Sequence, residues 1–207
     1  MSTIHLTDGY KVDHRSQYPK DTGLVYSNWT PRKSRVPGVN KVVLFGLQYF
    51  IKKYLIDEFD TDFFKLSKAE AVTKYRRRIT NYLGPEAITY EHIEALHDLG
   101  YLPIEIKALP EGTAVNLRVP MVTIQNTIPA FFWVTNFLET ILSAVLWMPC
   151  TSATIALEYR KILNKYANET GGDIAFVDWQ AHDFSFRGMA GLEAASMSGA
   201  GHLLSFT

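Results

Sequence analysis

The chain has 207 residues, enough for one sizeable core or two small domains. Its 47% hydrophobic and 20% charged residues fall in the ordinary globular range, and 21 Lys+Arg cancel 21 Asp+Glu. No global field therefore favours nucleic acid or an anionic membrane surface, and a single cysteine, Cys150, excludes an intrachain disulfide framework.

In chain order, residues 1–14 carry Asp8, Lys11 and Asp13 without an apolar run, so no signal peptide is expected there. The polar and aromatic stretch from Asp8 to His14 ends in a turn at Tyr18-Pro19. Residues 24–29 alternate as a strand does. Residues 31–38 then form a basic loop between Pro31 and Pro37. On charge alone this is a solvated loop; the alternative is an anion clamp, with the planar fork of Arg32 on phosphate oxygens and Lys33 or Arg35 adding charge.

Leu44, Leu47, Ile51 and Leu55 predict a helix over at least the second half of residues 42–55. Ser67-Lys68-Ala69-Glu70 is a capping box, opening a helix that Gly84-Pro85 stops; Arg76, Arg77 and Arg78 form its solvated face. Thr89 is expected to cap a shorter helix ending at Gly100. Residues 102–109, 114–119 and 121–125 read as strands, with a turn at Pro110-Glu111-Gly112 and a break at Pro120.

Residues 128–150 are apolar enough to weigh as a membrane span. Glu139 sits near their middle, and an acidic group at a bilayer centre costs roughly 2.5–3.5 kcal/mol. No basic cluster flanks the segment, so a helix buried in a core or subunit interface is expected, with Glu139 needing a buried partner. Cys150 reads as a packed thiol in a reducing compartment. Thr151 or Ser152 should cap a further helix with Ile155, Tyr159, Ile162, Leu163 and Tyr166 on one face, ending at Gly171-Gly172.

After this turn Val177, Trp179 and Ala181 alternate with Asp178, Gln180 and His182, the period of a half-buried strand. Gly188 opens a small-residue run that reads as a helix to about Gly199, and residues 202–206 read as a second strand. The expected class is α/β: an N-terminal α+β domain over residues 1–172, then the first strand-helix-strand of a parallel α/β domain over residues 173–207. A closed barrel of strands and helices needs ~200 residues or more, so the chain is expected to be cut short.

Several motif tests fail: no P-loop, no dinucleotide fingerprint, no Cys/His pair at metal spacing, and no nucleophile elbow at Ser185. His182 shares a face with Asp178 and Gln180 and reads first as a hydrogen-bonded structural histidine, with a general base as the alternative. Phe184 stands beside Asp183 and Arg187, and Tyr10 and Arg32 are available from the N-terminal region. Such rings stack on a planar heteroaromatic ligand, and a phosphorylated one gives arginine an anion to hold. A packed cluster of aromatic and arginine side chains is the alternative.

Seven stretches carry a resemblance: Asp8-Gly9-Tyr10-Lys11; Val25-Tyr26-Ser27 with Arg32; Phe45-Gly46-Leu47-Gln48-Tyr49; Leu102-Pro103-Ile104-Glu105-Ile106-Lys107-Ala108; Pro110-Glu111-Gly112; Thr135-Asn136-Phe137-Leu138-Glu139-Thr140; and His182-Asp183-Phe184-Ser185-Phe186-Arg187-Gly188. In this order they resemble the nicotinamide phosphoribosyltransferase family, from its N-terminus to just before the middle of its length.

The resemblance implies a type II phosphoribosyltransferase-like irregular α/β barrel and a cytoplasmic homodimer with its active site at the subunit interface. Neither nucleic acid nor membrane is an implied partner. It implies transfer of phosphoribosyl from phosphoribosyl pyrophosphate, with Mg²⁺, to nicotinamide in NAD salvage, and leaves coupling to ATP open. Phe184 matches the ring on one side of the nicotinamide and Tyr10 the ring from the other subunit. Arg187 and Arg32 match residues on the diphosphate, and Asp8 and Asp183 match supporting neighbours. The family's amide-reading aspartate, phosphorylatable histidine, ribose-binding acids and glycine-rich phosphate loop fall beyond Thr207. The 207-residue polypeptide alone is therefore expected to be inactive. Open alternatives are a nicotinate-type phosphoribosyltransferase and a non-catalytic fragment that dimerises with a longer enzyme.

Overall fold

The computed structural model describes residues 2–87 and 89–207. The chain folds as two compact units with interleaved segments, Met1–Asn28, Gln48–Lys107 and Thr123–Ser143 in the first, Trp29–Leu47, Ala108–Val122 and Ala144–Thr207 in the second.

The first unit is built on a three-stranded sheet in which Val122–Asn126 lies between Tyr26–Trp29 and Ile104–Ala108. Val122, Ile124 and Asn126 alternate inward along the central strand, the period-2 pattern expected for it. Asn126 is buried because its amide replaces missing backbone partners: Oδ1 accepts from the Val25 N–H at 2.8 Å, and Nδ2 donates to the Gly23 and Ile128 carbonyls at 2.9 and 3.0 Å. The same unit carries a helix from Leu47, with π geometry over Ile51–Glu58 and Asp60–Phe64, and the helices Lys68–Leu83 and Glu91–Leu99.

The predicted N-cap forms, though only half of the capping box: the Glu70 carboxylate accepts from Lys74 at 2.7 Å instead of reaching back to Ser67. Ser67 Oγ accepts the Glu70 N–H at 3.3 Å, Ala71, Tyr75 and Ile79 are buried at four-residue spacing, and Gly84 ends the helix at φ 98°. The next helix departs by one position. Its N-cap is Tyr90, without a side-chain bond, and the Thr89 hydroxyl instead accepts from Arg15 at 3.5 Å. Burial of the Tyr90 ring, edge-on to Tyr75 at 6.3 Å, sets that entry.

Residues 128–150 do not form one helix. Pro129–Phe131 is a 3₁₀ turn, Val134–Phe137 a single α-helical turn, and a 32-residue helix spans Glu139–Thr170. Side-chain tethers shape the break: Asn136 hydrogen-bonds Tyr18 through Nδ2 and accepts from Ser27 at 3.0 Å, while Thr135 bonds back to the Phe132 carbonyl. Glu139 has its partner, but the burial is reversed: Lys11 is the buried member of the pair, and the carboxylate is more than half exposed. The Glu139–Thr170 helix is long and apolar enough to cross a membrane by length and composition; 44% of its most apolar window is buried within the protein.

In the second unit Lys41–Val43 pairs antiparallel with Ala114–Asn116, Val42 opposite Val115. Thr151 and Ser152 cap nothing, because the helix continues through Pro149. Thr151 Oγ1 donates to the Trp147 carbonyl at 2.7 Å and Thr154 Oγ1 to the Cys150 carbonyl at 2.6 Å, so both serve helical carbonyls one turn back. Close packing holds the helix at the proline. A Cβ on Gly46 (φ 97°) would lie 2.8 Å from the Pro149 ring, and one on Gly201 2.8 Å from the Pro149 carbonyl oxygen. Cys150 is a packed thiol whose Sγ donates to the Phe45 carbonyl at 3.3 Å; burial pushes it up to about 11.

The two strands expected after Gly172 are absent. Ala175–Trp179 is a 3₁₀ helix with Val177 alone buried, and Asp173 Oδ1 accepts the Ala175 N–H at 2.9 Å to start it. A strand requires a neighbour to pair its N–H and C=O groups, and among the described residues neither sheet extends to this segment. Turns pair those groups locally, and Arg160 fixes the segment through Asp178 Oδ1 at 2.5 Å and the Ser205 carbonyl at 2.9 Å. Residues 202–206 close the Leu192–His202 helix instead of starting a strand: the Phe206 N–H returns to the His202 carbonyl, and the two rings stack at 4.9 Å. Gly188 ends a separate 3₁₀ turn, Phe186–Gly188, and the helix begins at Leu192.

Candidate functional site

In the second unit the segment from Ala181 to Gly188 is irregular, and its shape comes from a carboxylate and three hydroxyls. Asp183 Oδ1 accepts the Ser185 N–H at 2.8 Å, closing a turn of the kind acidic side chains favour. Ser185 Oγ lies 3.4 Å from the buried Ser198 Oγ on the Leu192–His202 helix, which lies 3.1 Å from Ser152 Oγ on the Glu139–Thr170 helix. The loop is thus fastened to two helices by polar links. Burial would raise the Asp183 pKa, but hydrogen bonds from Ser185 and Ser198 and the nearby His202 outweigh it and hold the carboxyl below its usual range. Beneath the loop a cleft of about 460 Å³ is lined by Ile155, Tyr159, His182, Asp183, Ser198 and His202, among others.

With its backbone held by polar bonds, the loop leaves its rings free. Phe184 is 81% exposed and Phe186 64%. Arg187, on the Phe186–Gly188 turn, is exposed as well. Asp183, Phe184 and Arg187 therefore share one loop whose aromatic and cationic groups face solvent. His182 is not the hydrogen-bonded histidine the sequence suggested. It is exposed and edge-on to Phe184 at 6.1 Å. The hydrogen-bonded imidazole is His202, whose Nε2 lies 3.1 Å from the Ala181 carbonyl, which makes that nitrogen the protonated one. Arg32 belongs to the same unit, in an irregular exposed segment, and no hydrogen bond or ion pair among the described residues joins it to the loop.

Asp8 and Tyr10 belong to the first unit. Here the chain is fastened to the start of the long helix: Thr7 Oγ1 donates to the Phe137 carbonyl at 2.8 Å, and Thr140 Oγ1 donates to Asp8 Oδ2 at 2.7 Å while accepting the Asp8 N–H at 3.0 Å. Lys11 adds its ion pair with Glu139. These anchors alternate with Tyr10, which is 60% exposed beside His14 at 5.1 Å, with Lys11 Nζ 5.3 Å from its centroid. Sequence reasoning missed Ser152, Ser198 and His202, which gain meaning only once two helices pack. The Lys11–Glu139 pair had a usable signal, an acid in an apolar segment that must find a base. Among the described residues no three His, Cys, Asp or Glu side chains converge as a metal site.

The family model described as "Nicotinamide phosphoribosyltransferase, N-terminal domain" matches residues 2–106. A nicotinamide phosphoribosyltransferase of Acinetobacter baylyi is 52% identical over all of this chain, which covers 42% of that protein. A nicotinamide phosphoribosyltransferase of Mycoplasma pneumoniae is 30% identical over 97% of the chain and 47% of its own length. The chain spans less than half the length of these curated relatives. Among solved structures, human nicotinic acid phosphoribosyltransferase superposes with a TM-score of 0.62 at 19% identity, over 97% of this chain and 35% of that one. The fold is therefore that of the corresponding part of a type II phosphoribosyltransferase, mixed helix and sheet.

Proposed function

Since the chain belongs to the nicotinamide phosphoribosyltransferase family, we propose that it is part of an enzyme that transfers phosphoribosyl from phosphoribosyl pyrophosphate to nicotinamide, giving nicotinamide mononucleotide and diphosphate. In this reading Phe184 covers one face of the pyridine ring and Tyr10 of a second subunit covers the other. Arg187, and Arg32 from across the interface, neutralise the diphosphate, which arrives with its Mg²⁺ as part of the substrate. Asp8 and Asp183 hold the backbone of the two ring-bearing segments. The proposal includes a cytoplasmic homodimer acting in NAD salvage, residues 1–172 as an N-terminal domain and residues 173–207 as the start of the barrel domain.

The observation that carries this reading is the 182–188 loop, whose polar bonds hold Asp183 and Ser185 while Phe184 stands 81% exposed three residues from Arg187. An exposed ring beside a cation suits a flat heteroaromatic next to a phosphate. Departure of diphosphate from the anomeric carbon leaves positive charge on the ribose and negative charge on the leaving group. Positioning and charge neutralisation then supply the catalysis, and no side-chain nucleophile is required.

The test is a product assay on the complete protein that carries this chain. Nicotinamide mononucleotide and diphosphate should form, and Phe184→Ala should raise KM for nicotinamide by about threefold to tenfold, the equivalent of one lost ring pair. Faster turnover of nicotinate would favour a nicotinate-type enzyme. Turnover of neither, with co-purification of a longer homologue, would favour a dimerising fragment. The chain covers 42% of its Acinetobacter relative, and the 207-residue polypeptide alone is expected to show no turnover.

A further inference from the structure

Four buried side-chain polar atoms among the described residues have no hydrogen-bond partner: His5 Nε2, Tyr75 Oη, His92 Nδ1 and Trp133 Nε1. Such atoms are rare in folded proteins, and each costs about 1–3 kcal/mol when left unsatisfied. Two of the four belong to His5 and Tyr75, residues that line the same cleft of about 490 Å³ in the first unit. Their rings stack at 5.7 Å and 8°, so the two side chains that carry orphaned atoms lie side by side. Tyr75 is only 1% exposed.

The rest of the lining gives the cleft a chemical bias. Tyr75, Arg78 and Tyr82 lie on one face of the Lys68–Leu83 helix, at i, i+3 and i+7. Arg78 has no carboxylate partner among the described residues, yet its charge reaches His5, where it adds to burial in keeping the imidazole neutral. The Asn81 amide and the Tyr82 hydroxyl complete the polar wall. Cationic and donor groups predominate, and no Asp or Glu lines the cleft. The exposed Arg78 guanidinium, with no carboxylate beside it, is available to hold an anion.

We propose that this cleft binds a small oxyanion of phosphate size, with Arg78 presenting its fork, Tyr75 donating its hydroxyl proton and His5 turning its buried Nε2 toward the anion. Gly9 forms one wall, where a Cβ would meet Tyr82 Oη at 2.4 Å, and it directly precedes Tyr10. An anion held here steadies the turn that presents the Tyr10 ring. The site does not depend on the reaction proposed above, since its ligand, residues and readout are separate.

The test is a titration of the 207-residue chain with inorganic phosphate, reading the histidine ring signals by NMR at constant ionic strength set with chloride. His5 should move along a saturable curve while the exposed His182 stays put. Arg78→Gln, at an exposed position, should weaken the response at least tenfold. Tyr75→Phe, which keeps the ring, should weaken it severalfold with an unchanged circular dichroism spectrum. Ribose 5-phosphate saturating at lower concentration than phosphate would identify a phosphorylated sugar as the ligand; equal or weaker binding would identify the free ion. A His5 signal that does not move, that moves in step with His182, or that saturates identically in Arg78→Gln would overturn the site and leave ordered water as the partner of both atoms.

Discussion

Acid should unfold the first unit well above the pH at which carboxylates alone would do so, because two of its imidazoles are held neutral. Burial lowers both His5 and His92 from 6.5 to about 4, with the charges of Arg78 and Arg15 as the second causes. The depressed folded values fix the sign. Between pH 6.5 and 4 the unfolded chain binds a proton at each site that the folded chain refuses, so stability falls as pH drops through that window and is fully lost below it. A shift of this size corresponds to at most about 3 kcal/mol for one histidine, from 1.36 kcal/mol per pH unit. His5 is partly exposed and warrants about half that, so the pair is worth on the order of 3–5 kcal/mol, a large share of a typical domain's stability.

The assay is urea unfolding at several pH values between 7.5 and 4.5, followed by tryptophan fluorescence. Trp133 lies edge-on to His92 at 4.9 Å and so reports on the protonating ring. His92→Leu removes one of the two protons. Its histidine-linked loss of stability between pH 7 and 5 should be about a third of the parent's, while the carboxylate contributions cancel between the two proteins. Equal losses in parent and variant would show that the buried imidazole is not the origin of the effect.

Two further outcomes follow from packing. Gly201→Ala places a Cβ 2.8 Å from the Pro149 carbonyl oxygen and 3.0 Å from the Ala153 nitrogen, backbone atoms that cannot swing aside. It should cost about 1–3 kcal/mol and lower Tm, whereas Gly199→Ala, whose nearest neighbour is Asp183 Oδ2 at 3.8 Å, should be neutral or stabilising by up to about 1 kcal/mol. The Cys150 thiol, buried and pushed up to about 11, should resist iodoacetamide at pH 8 in the native chain and react within minutes in urea, as a mass-spectrometric time course would show.

The sequence by itself determined the features whose causes lie within a few residues. The Ser67 cap, the stops at Gly84 and Gly100, the turn at Gly112 and the strands around Pro120 are all local, since a cap, a positive φ or a missing N–H acts over a single turn. The long stretches that carried the family resemblance were likewise legible, because they are read residue by residue. Tertiary structure decided everything that depends on what lies alongside. The alternation at Val177, Trp179 and Ala181 is the period of a strand, yet without a neighbour to pair with, the backbone closes into a 3₁₀ turn. Thr151 and Ser152 look like caps, but packing around Pro149 by Gly46 and Gly201 carries the helix past them. In the candidate site Asp183, Phe184 and Arg187 could be singled out from the sequence, being adjacent. The hydroxyls of Ser198 and Ser152 that fasten their loop could not, because 46 residues separate the two serines and only helix packing brings their oxygens to 3.1 Å.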